Sequence, residues 1–504
     1  MSLDTTPQAE IIALGAAELA RQIAARQITS QAVIAAHIER ITAIHSRLNA
    51  LVVPLFDQAR RDAQRADDAL QQGRLLGPLH GVPFTAKECF DVAGTASTLG
   101  IARLAQEVAA ADAPLVAKLK AAGAILLGKT NVSQLMLNYE SDNPLYGRTN
   151  NPWNGNRSCG GSSGGEAALI AAGGSPLGLG TDLGGSIRQP AHSCGIHGFL
   201  PSPGVLTTAG IRSNLSGMDA VAVQPGIMAR TVDDLLLAMR ALTDRPMATV
   251  RLRGLKVAMW VDDGYFACSP AIRRAVHESA ARLRAQGVTV DLIEPPDMHQ
   301  AIRLFFGFLS ADGGDHFHQL LGDSPVDWRI ERLLRLSAVP RWLRKLMALY
   351  AAVRGRARLS ELLRYSGRST AAELARLVQN QQTFRTAFFE GLRRGGYQAL
   401  LCPPYSLPAL LHGSSDLLPA AASYCMLMNL LGVPCGVVTV TQVAAGEESD
   451  RPASRDWAEQ AARRVEEGSA GLPIAVQVAA PPGEDDLVLQ LLSALDQGSP
   501  TPPI

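Results

Sequence analysis

The apolar positions of this chain change repeatedly between helical and strand-like spacing. After Thr29 and Ser30, both helix-capping residue types, apolar positions recur every three or four residues, which predicts a helix. Its buried face is expected to hold Val33, Ile34, Ile38 and Ile41. Asp112-Ala113-Pro114 predicts the start of another helix, ending at Gly123, with a buried strand over Ala124–Leu127 behind it. Helix, glycine and buried strand in this order are typical of an α/β fold.

The changes between helical and strand-like spacing of apolar residues continue through the rest of the chain. Thr231–Leu242 has the pattern of a helix. Residues 417–446 carry no charge and are long enough to span a bilayer, but proline, glycine and asparagine interrupt them. We interpret this run as a buried helix to about Leu431 followed by a buried strand over Gly436–Val443. Without repeats or a Pro/Ser-rich linker, the pattern favours an N-terminal helical region (1–75) and one large α/β domain (76–504).

Composition narrows the class of protein. The 504 residues have 18% charged positions and a formal charge of +1, so bulk charge argues against a nucleic-acid binder. Seven cysteines, with no C-x-x-C pair, argue against a disulfide framework or a zinc site and favour a reducing, cytoplasmic location. The first twelve residues lack the pattern of a signal peptide.

Two local patterns suggest chemistry that their context contradicts. Gly123–Thr130 fits the phosphate-loop pattern G-x-x-x-x-G-K-[ST], but its four variable positions form an apolar strand, and Lys129 is expected at the strand end. Asp315, His316 and His318 could be metal ligands, but no further carboxylate or cysteine completes such a set. We therefore expect neither metal nor cofactor.

Residues 155–210 are the unusual part of the chain, with fifteen glycines among 56 positions. Glycines flank two serines, Ser162 and Ser186, which are 24 residues apart. Ser162 also fits the nucleophile-elbow pattern G-x-S-x-G, a weak signal in any Gly/Ser tract. The successive amides of Leu183, Gly184, Gly185 and Ser186 could converge on one oxygen, as an oxyanion hole requires. Lys87 follows an apolar, strand-like run, and a lysine in an apolar site can act as a base.

This tract, with both serines in register and Lys87 at matching distance, resembles the amidase signature family from about residue 50 to the C-terminus. Stretches such as Lys87-Glu-Cys-Phe and Gly471-Leu-Pro-Ile-Ala-Val-Gln are most similar to the fatty-amide branch of the family. The resemblance implies a central mixed sheet flanked by helices on both faces. It further implies that Ser186 is the nucleophile, that Ser162, in a cis peptide, relays protons, and that Lys87 is the base.

The resemblance also suggests roles for neighbouring residues. Asp182 and Arg188 would brace the turn with paired charges. Met136 matches a substrate-pocket position, although a plain core methionine is an equal interpretation. Gln189 stands where the fatty-amide branch tends to have an aromatic residue, which leaves the fine substrate preference open.

Residues 328–368 hold eleven Lys or Arg and two Glu, interleaved with apolar residues at helical spacing. Such a segment (the cap, about 323–368) can lie on an anionic bilayer, and the resemblance implies peripheral docking over the substrate entrance. A solvated basic face or a homodimer contact is the alternative. The sequence thus predicts a hydrolase of long-chain acyl amides, its partner a small lipid-like amide. A broad aliphatic or aryl amidase, a glutaminase subunit of a tRNA-dependent amidotransferase and a non-catalytic binding protein stay open.

Overall fold

A computed structural model describes residues 8–215, 220–221, 223–243, 246–337 and 339–503. Its strands are β1 (Leu51–Pro54), β2 (Pro83–Lys87), β3 (Ile125–Thr130), β4 (Asp142–Asn143), β5 (Gly147–Arg148), β6 (Leu177–Asp182), β7 (His197–Leu200), β8 (Gln224–Ala229), β9 (Lys256–Met259), β10 (Thr289–Leu292), β11 (Ala399–Cys402), β12 (Cys435–Gln442) and β13 (Pro473–Ala479). Within these described ranges, eleven strands form one sheet in the order β1-β3-β2-β6-β8-β7-β12-β13-β11-β9-β10, while β4 and β5 pair separately.

The helices before the cap are α1 (Gln8–Ala13), α2 (Ala16–Ala24), α3 (Ser30–Leu48), α4 (Phe56–Gln71), α5 (Pro114–Ala121), α6 (Gly164–Ala171), α7 (Arg188–Cys194), α8 (Val232–Thr243), α9 (Pro270–Ala285), α10 (Met298–Leu309) and α11 (Asp315–Leu321). The cap contains α12 (Trp328–Ser337), α13 (Arg341–Val353) and α14 (Ala357–Tyr365). After it come α15 (Ala371–Gly395), α16 (Ser423–Leu431), α17 (Trp457–Glu466) and α18 (Asp485–Leu495).

The sheet is mixed, as expected for the α/β class. β2 pairs in parallel with β3 and β6, whereas β6 pairs antiparallel with β8. Every residue of β2, β3 and β6 is buried, so both faces of the sheet are covered there. One contiguous apolar core runs from Ile11 to Leu495, which confirms a single large domain. A small separate cluster joins α13 to α14 in the cap.

The predicted early elements are confirmed. The Thr29 hydroxyl accepts a hydrogen bond from the Ala32 amide at 3.0 Å and caps α3. α5 and β3 follow one another as expected, with Gly123 between them in the left-handed region (φ +91°). The phosphate-loop match therefore falls on a strand, and Lys129 is a buried strand residue whose Nζ donates to the carbonyl of Ala96 at 2.6 Å.

The helices and the strand predicted in the later part of the chain are also confirmed, whereas the structure places one strand inside the region that was predicted to be helical. α8 covers the helix expected at 231–242, and the uncharged run forms α16 and β12. No helix in the described part of the chain is long and apolar enough to cross a membrane. No sequence pattern indicated β1, which lies within the expected helical region and pairs antiparallel with β3 at the sheet edge. Its four residues are too few for a periodic pattern to stand out.

The topology places the functional segments together. β2 ends at Lys87 and its parallel neighbour β6 ends at Asp182. Because parallel strands present their carboxyl ends at the same edge, residues following both strands meet there. The loop before α6 and the turn between β6 and α7 carry Ser162 and Ser186 to this edge.

Candidate active site

Lys87 is fully buried at the end of β2. Its Nζ lies 2.7 Å from Ser162 Oγ and 2.8 Å from Thr181 Oγ1. Burial disfavours the ammonium form and lowers the pKa of Lys87 from 10.5 to about 8. A substantial share of this lysine is therefore neutral near pH 8 and able to accept a proton.

Ser162 lies in a tightly packed loop before α6. The peptide bond between Gly161 and Ser162 is cis. A Cβ on Gly161 would lie 2.5 Å from the carbonyl oxygen of Asn138, so only glycine fits this close approach. The loop thereby holds the Ser162 hydroxyl against Lys87.

Ser186 lies in the turn between β6 and α7 and is 9% exposed. The Ser163 amide donates to the carbonyl of Ser186 at 3.1 Å, which ties the Ser162 loop to this turn. Ser186 also lines the cavity described below. The structure therefore brings the segments of all three expected catalytic residues, Lys87, Ser162 and Ser186, to one edge of the sheet.

A buried ion pair spans the turn around Ser186. Arg188 Nη2 lies 2.8 Å from Asp182 Oδ1, and Arg188 Nε lies 3.1 Å from Asp182 Oδ2. Burial alone would raise the pKa of Asp182, but the Arg188 charge and several hydrogen bonds lower it to about 2. The carboxylate stays ionised, and its two oxygens also accept from the amides of Gly185 and Ile187.

The peptide between Gly184 and Gly185 is fixed at both ends. Tyr139 donates its hydroxyl to the Gly184 carbonyl at 2.8 Å, and the Gly185 amide donates to Asp182 Oδ1 at 2.8 Å. A Cβ on Gly185, at φ +116°, would lie 2.7 Å from Cys425. The Gly185 amide is thus engaged within the turn, whereas Leu183, Gly184 and Ser186 line the cavity.

Met136 is 8% exposed and also lines the cavity. Its sulfur lies 3.8 Å from Thr181 Oγ1, the same hydroxyl that contacts Lys87. Met136 and the preceding Leu135 both have positive φ, near +55°, which is uncommon for residues with a side chain. The methionine therefore lies at the boundary between the cavity wall and the lysine site.

Sequence reasoning missed several residues of the site. Thr181 and Tyr139 carried no motif, although Thr181 directly precedes Asp182 at a strand end. Gln189 does not line the cavity: its Oε1 accepts from the Gly161 amide at 3.0 Å and its Nε2 donates to Ser193 Oγ at 3.0 Å. Gln189 thus connects the Ser162 loop to α7, a contact that requires the folded chain.

Glu166 is another missed residue, buried on α6. It accepts hydrogen bonds from Thr130 Oγ1 at 2.6 Å and from Thr85 Oγ1. Burial raises the pKa of Glu166 to about 8, so the carboxyl is largely protonated at neutral pH. It joins α6 to β2 and β3, the strands that support Lys87.

An apolar cavity with about 950 Å³ of empty space leads from Ser186 toward the cap. Its walls away from the serine are mainly apolar side chains of α10, α12 and α14, together with Met426. They include Phe305, Phe306, Leu309, Ile330, Leu333, Leu336 and Leu362. A wall of this composition suits the apolar part of a ligand.

Arg329 ties the first cap helix, α12, to the body of the protein. Its 5%-exposed side chain forms ion pairs with Asp142 and Asp327 and lies 3.7 Å from Glu140. Since α12 supplies a wall of the cavity, this anchor fixes the shape of the space above Ser186.

Comparisons with known proteins agree with this geometry. The amidase family model matches residues 32–489. Fatty-acid amide hydrolase 1 of Sus scrofa is 33% identical over 97% of this chain and 86% of its own length. Fatty acid amide hydrolase 1 of Caenorhabditis elegans is 31% identical over 98% and 90%, respectively. A solved fatty acid amide hydrolase superposes with a TM-score of 0.85 at 25% identity, covering 97% of this chain and 86% of that one.

These matches span nearly the whole chain, including the sheet, the Gly/Ser tract and the cap. The family model alone covers most of the sequence, and the curated relatives exceed 30% identity along it. The chain therefore belongs to the amidase signature family and is an amidase.

Proposed function

We propose that this amidase hydrolyses long-chain fatty acyl amides through an acyl-enzyme on Ser186. The observation that carries the proposal is the 2.7 Å contact between Lys87 Nζ and Ser162 Oγ beside an apolar cavity that reaches Ser186. The similarity to fatty acid amide hydrolases supports the same substrate class.

In the first half-reaction, Ser186 Oγ attacks the carbonyl carbon of the amide. Its proton passes through the Ser162 hydroxyl to neutral Lys87 Nζ. When the carbon–nitrogen bond breaks, Lys87 returns a proton through Ser162 to the leaving nitrogen, because an unprotonated amide anion is a poor leaving group. An acyl ester on Ser186 remains. Water, deprotonated by the same lysine, hydrolyses this ester and releases the fatty acid.

Backbone amides stabilise the oxyanion of each tetrahedral intermediate in this proposal. Leu183, Gly184 and Ser186 supply the donors from the cavity side, whereas the Gly185 amide is engaged with Asp182. The ion pair of Asp182 with Arg188 and the hydrogen bond of Tyr139 hold this segment in place. Met136 forms part of the substrate wall beside the scissile bond.

The acyl chain occupies the apolar space under the cap, and this assignment is tested by chain length. With straight-chain primary amides from four to eighteen carbons, we expect kcat/KM to rise by up to about fourfold per methylene until the cavity is filled. The Leu333→Asn variant should flatten this dependence, whereas Leu292→Asn, a change of an exposed leucine in β10, should not. Highest turnover with short or aryl acyl groups would instead identify a broad amidase. Activity that requires partner subunits would favour the glutaminase alternative.

The cap also carries an apolar face that suits a membrane surface. Along α13, Trp342, Leu346, Leu349, Tyr350 and Val353 are all more than half exposed and recur at helical spacing. The charged residues of 328–368 are mostly basic, eleven Lys or Arg against two Glu. We infer that this face docks on an anionic bilayer, which would place the protein at the inner surface of the cytoplasmic membrane and let lipid-like amides enter beneath the cap.

Sedimentation with vesicles containing anionic phospholipid tests this docking at low salt. We expect the wild-type protein to co-sediment and the double variant Trp342→Glu, Leu346→Glu to lose at least about tenfold in partitioning, because two charges enter the apolar face. Leu292→Glu, an exposed leucine outside the cap, is the matched control. Absence of wild-type binding would refute docking. Dissociation of a dimer by the double variant would assign this face to the homodimer contact.

A further inference from the structure

A second chamber, with about 580 Å³ of empty space, adjoins the substrate cavity. The two spaces share five lining residues: Phe306, Arg332, Leu362, Asp416 and Pro419. The linings of both spaces are mainly apolar. Arginine side chains are more numerous in the second chamber: the cavity near Ser186 is lined by Arg329 and Arg332, whereas the second chamber is lined by Arg332, Arg356 and Arg358.

Two of these arginines already have acidic partners. Arg358 Nη1 lies 3.1 Å from Glu361 Oε2 and its Nη2 donates to the Tyr265 carbonyl. Arg332 Nη1 lies 3.8 Å from Asp416 Oδ2, a loose ion pair. The remaining carboxylate of the chamber, Asp456, accepts from backbone amides at the start of α17 and α14.

Arg356 differs from Arg332 and Arg358 in what its guanidinium contacts. Its guanidinium carbon lies 3.4 Å from the centre of the Trp457 ring. Among the described residues, no carboxylate forms an ion pair with it. A stacked guanidinium uses its face against the ring and keeps its N–H groups in the plane, where they can donate two parallel hydrogen bonds to a carboxylate.

We propose that the second chamber binds an anionic group at the far end of the amide substrate, with Arg356 as its main partner and Arg332 as a second. The inference rests on the proposed function, since it extends the same substrate from the apolar cavity into the neighbouring chamber. The preferred substrates are then amides that combine an apolar chain with a terminal carboxylate. The carboxylate belongs to the acyl part, as in an ω-carboxy fatty amide, because the carboxylate of an N-acyl amino acid lies one carbon from the scissile nitrogen and the chamber is not lined by Ser186.

The test compares kcat/KM for matched amides of equal chain length: a neutral fatty amide, its ω-carboxy analogue and an N-acyl amino acid. In the wild-type protein, the ω-carboxy amide should exceed the neutral one. Arg356→Gln should lower the ratio of ω-carboxy to neutral kcat/KM by about tenfold, since one charge-assisted contact is lost, whereas the ratio for the N-acyl amino acid should stay unchanged. Arg356→Glu should lower the ω-carboxy ratio further and favour an ω-amino amide. Arg354→Gln, which changes an exposed arginine of the cap outside the chamber, should leave the ratio as in the wild type.

The outcomes separate this inference from the proposed function. A ratio that responds to position 356 for the ω-carboxy amide and not for the N-acyl amino acid shows that the far end of the acyl chain enters the chamber. One outcome would overturn the second-chamber assignment alone. In that case, the neutral fatty amide is hydrolysed, but neither Arg356→Gln nor Arg356→Glu changes the ratio of ω-carboxy to neutral kcat/KM. No hydrolysis of any amide in the panel would contradict the proposed function. Thermal unfolding of each variant shows whether a loss reflects folding, and titration of the ω-carboxy amide into Ser186→Ala, with and without Arg356→Gln, measures binding directly.

Discussion

Ser186→Ala is expected to lower amide hydrolysis by about 10⁴-fold or more, since Ser186 is the proposed nucleophile of the acyl-enzyme. The variant should also lose covalent labelling by a fluorophosphonate probe, which reacts with activated serines. Peptide mapping of the labelled wild-type protein should find the probe on Ser186. The residue is 9% exposed at the cavity, so the change to alanine should leave the fold and its thermal midpoint largely unchanged.

Ser175→Ala is the matched control for this experiment. Ser175 is a buried serine of the same Gly/Ser tract, and its hydroxyl donates to the Leu177 carbonyl at the opposite end of β6. It should keep both activity and labelling. Probe found on Ser162 instead would make Ser162 the nucleophile and overturn the assigned order of proton transfer. A wild-type protein that takes no label would contradict the acyl-enzyme altogether.

Lys87→Met is expected to lower kcat/KM for amides by about 10³-fold, the contribution of a positioned acid–base group. The pH dependence supplies the sharper readout. Because burial lowers the pKa of Lys87 to about 8 and the neutral form is the base, wild-type kcat/KM should rise as pH increases through about 8 and level off above it. The variant should lack this inflection.

Lys129→Met provides the control, because Lys129 is also fully buried and lies in β3, the strand next to that of Lys87. Its Nζ donates to the Ala96 carbonyl and to Ser97 Oγ, at 2.6 and 3.1 Å, so its loss should reduce stability while the pH inflection persists. If Lys129→Met removed the inflection and Lys87→Met retained it, the base would have been misassigned.

Lys87 and Lys129 illustrate what local sequence patterns can predict. Both follow apolar strands, and Lys129 even completes a phosphate-loop pattern. The strand-like apolar run argued against a loop at Gly123–Thr130, and β3 confirms this. The glycine-flanked serines then distinguished Lys87, since a base requires a group whose proton it can accept. Local patterns sufficed here because strand, helix and turn signals are short-range.

The hydrogen bonds within the site could not be predicted from local sequence patterns. The hydrogen bond from Tyr139 to Gly184 joins residues 45 positions apart, and neither belongs to a motif that names the other. Gln189 stands close to the proposed nucleophile, where the fatty-amide branch tends to have an aromatic residue, and this difference left the fine substrate preference open. In the folded chain it turns away from the cavity and accepts the amide of Gly161 instead. Side-chain direction at a helix start depends on what packs against it, which the sequence does not state.

By itself, the sequence determined the α/β class, because capping and apolar periodicity act over a few neighbouring residues. Its motifs also carried the resemblance to the family, which in turn proposed Lys87, Ser162 and Ser186 as the catalytic residues. Only the tertiary structure decided that the Gly185 amide is engaged with Asp182, that α10, α12 and α14 line an apolar cavity, and that Arg356 lines a neighbouring chamber. These features arise from packing between segments far apart in the chain, where burial and hydrogen-bond partners are fixed by the fold as a whole.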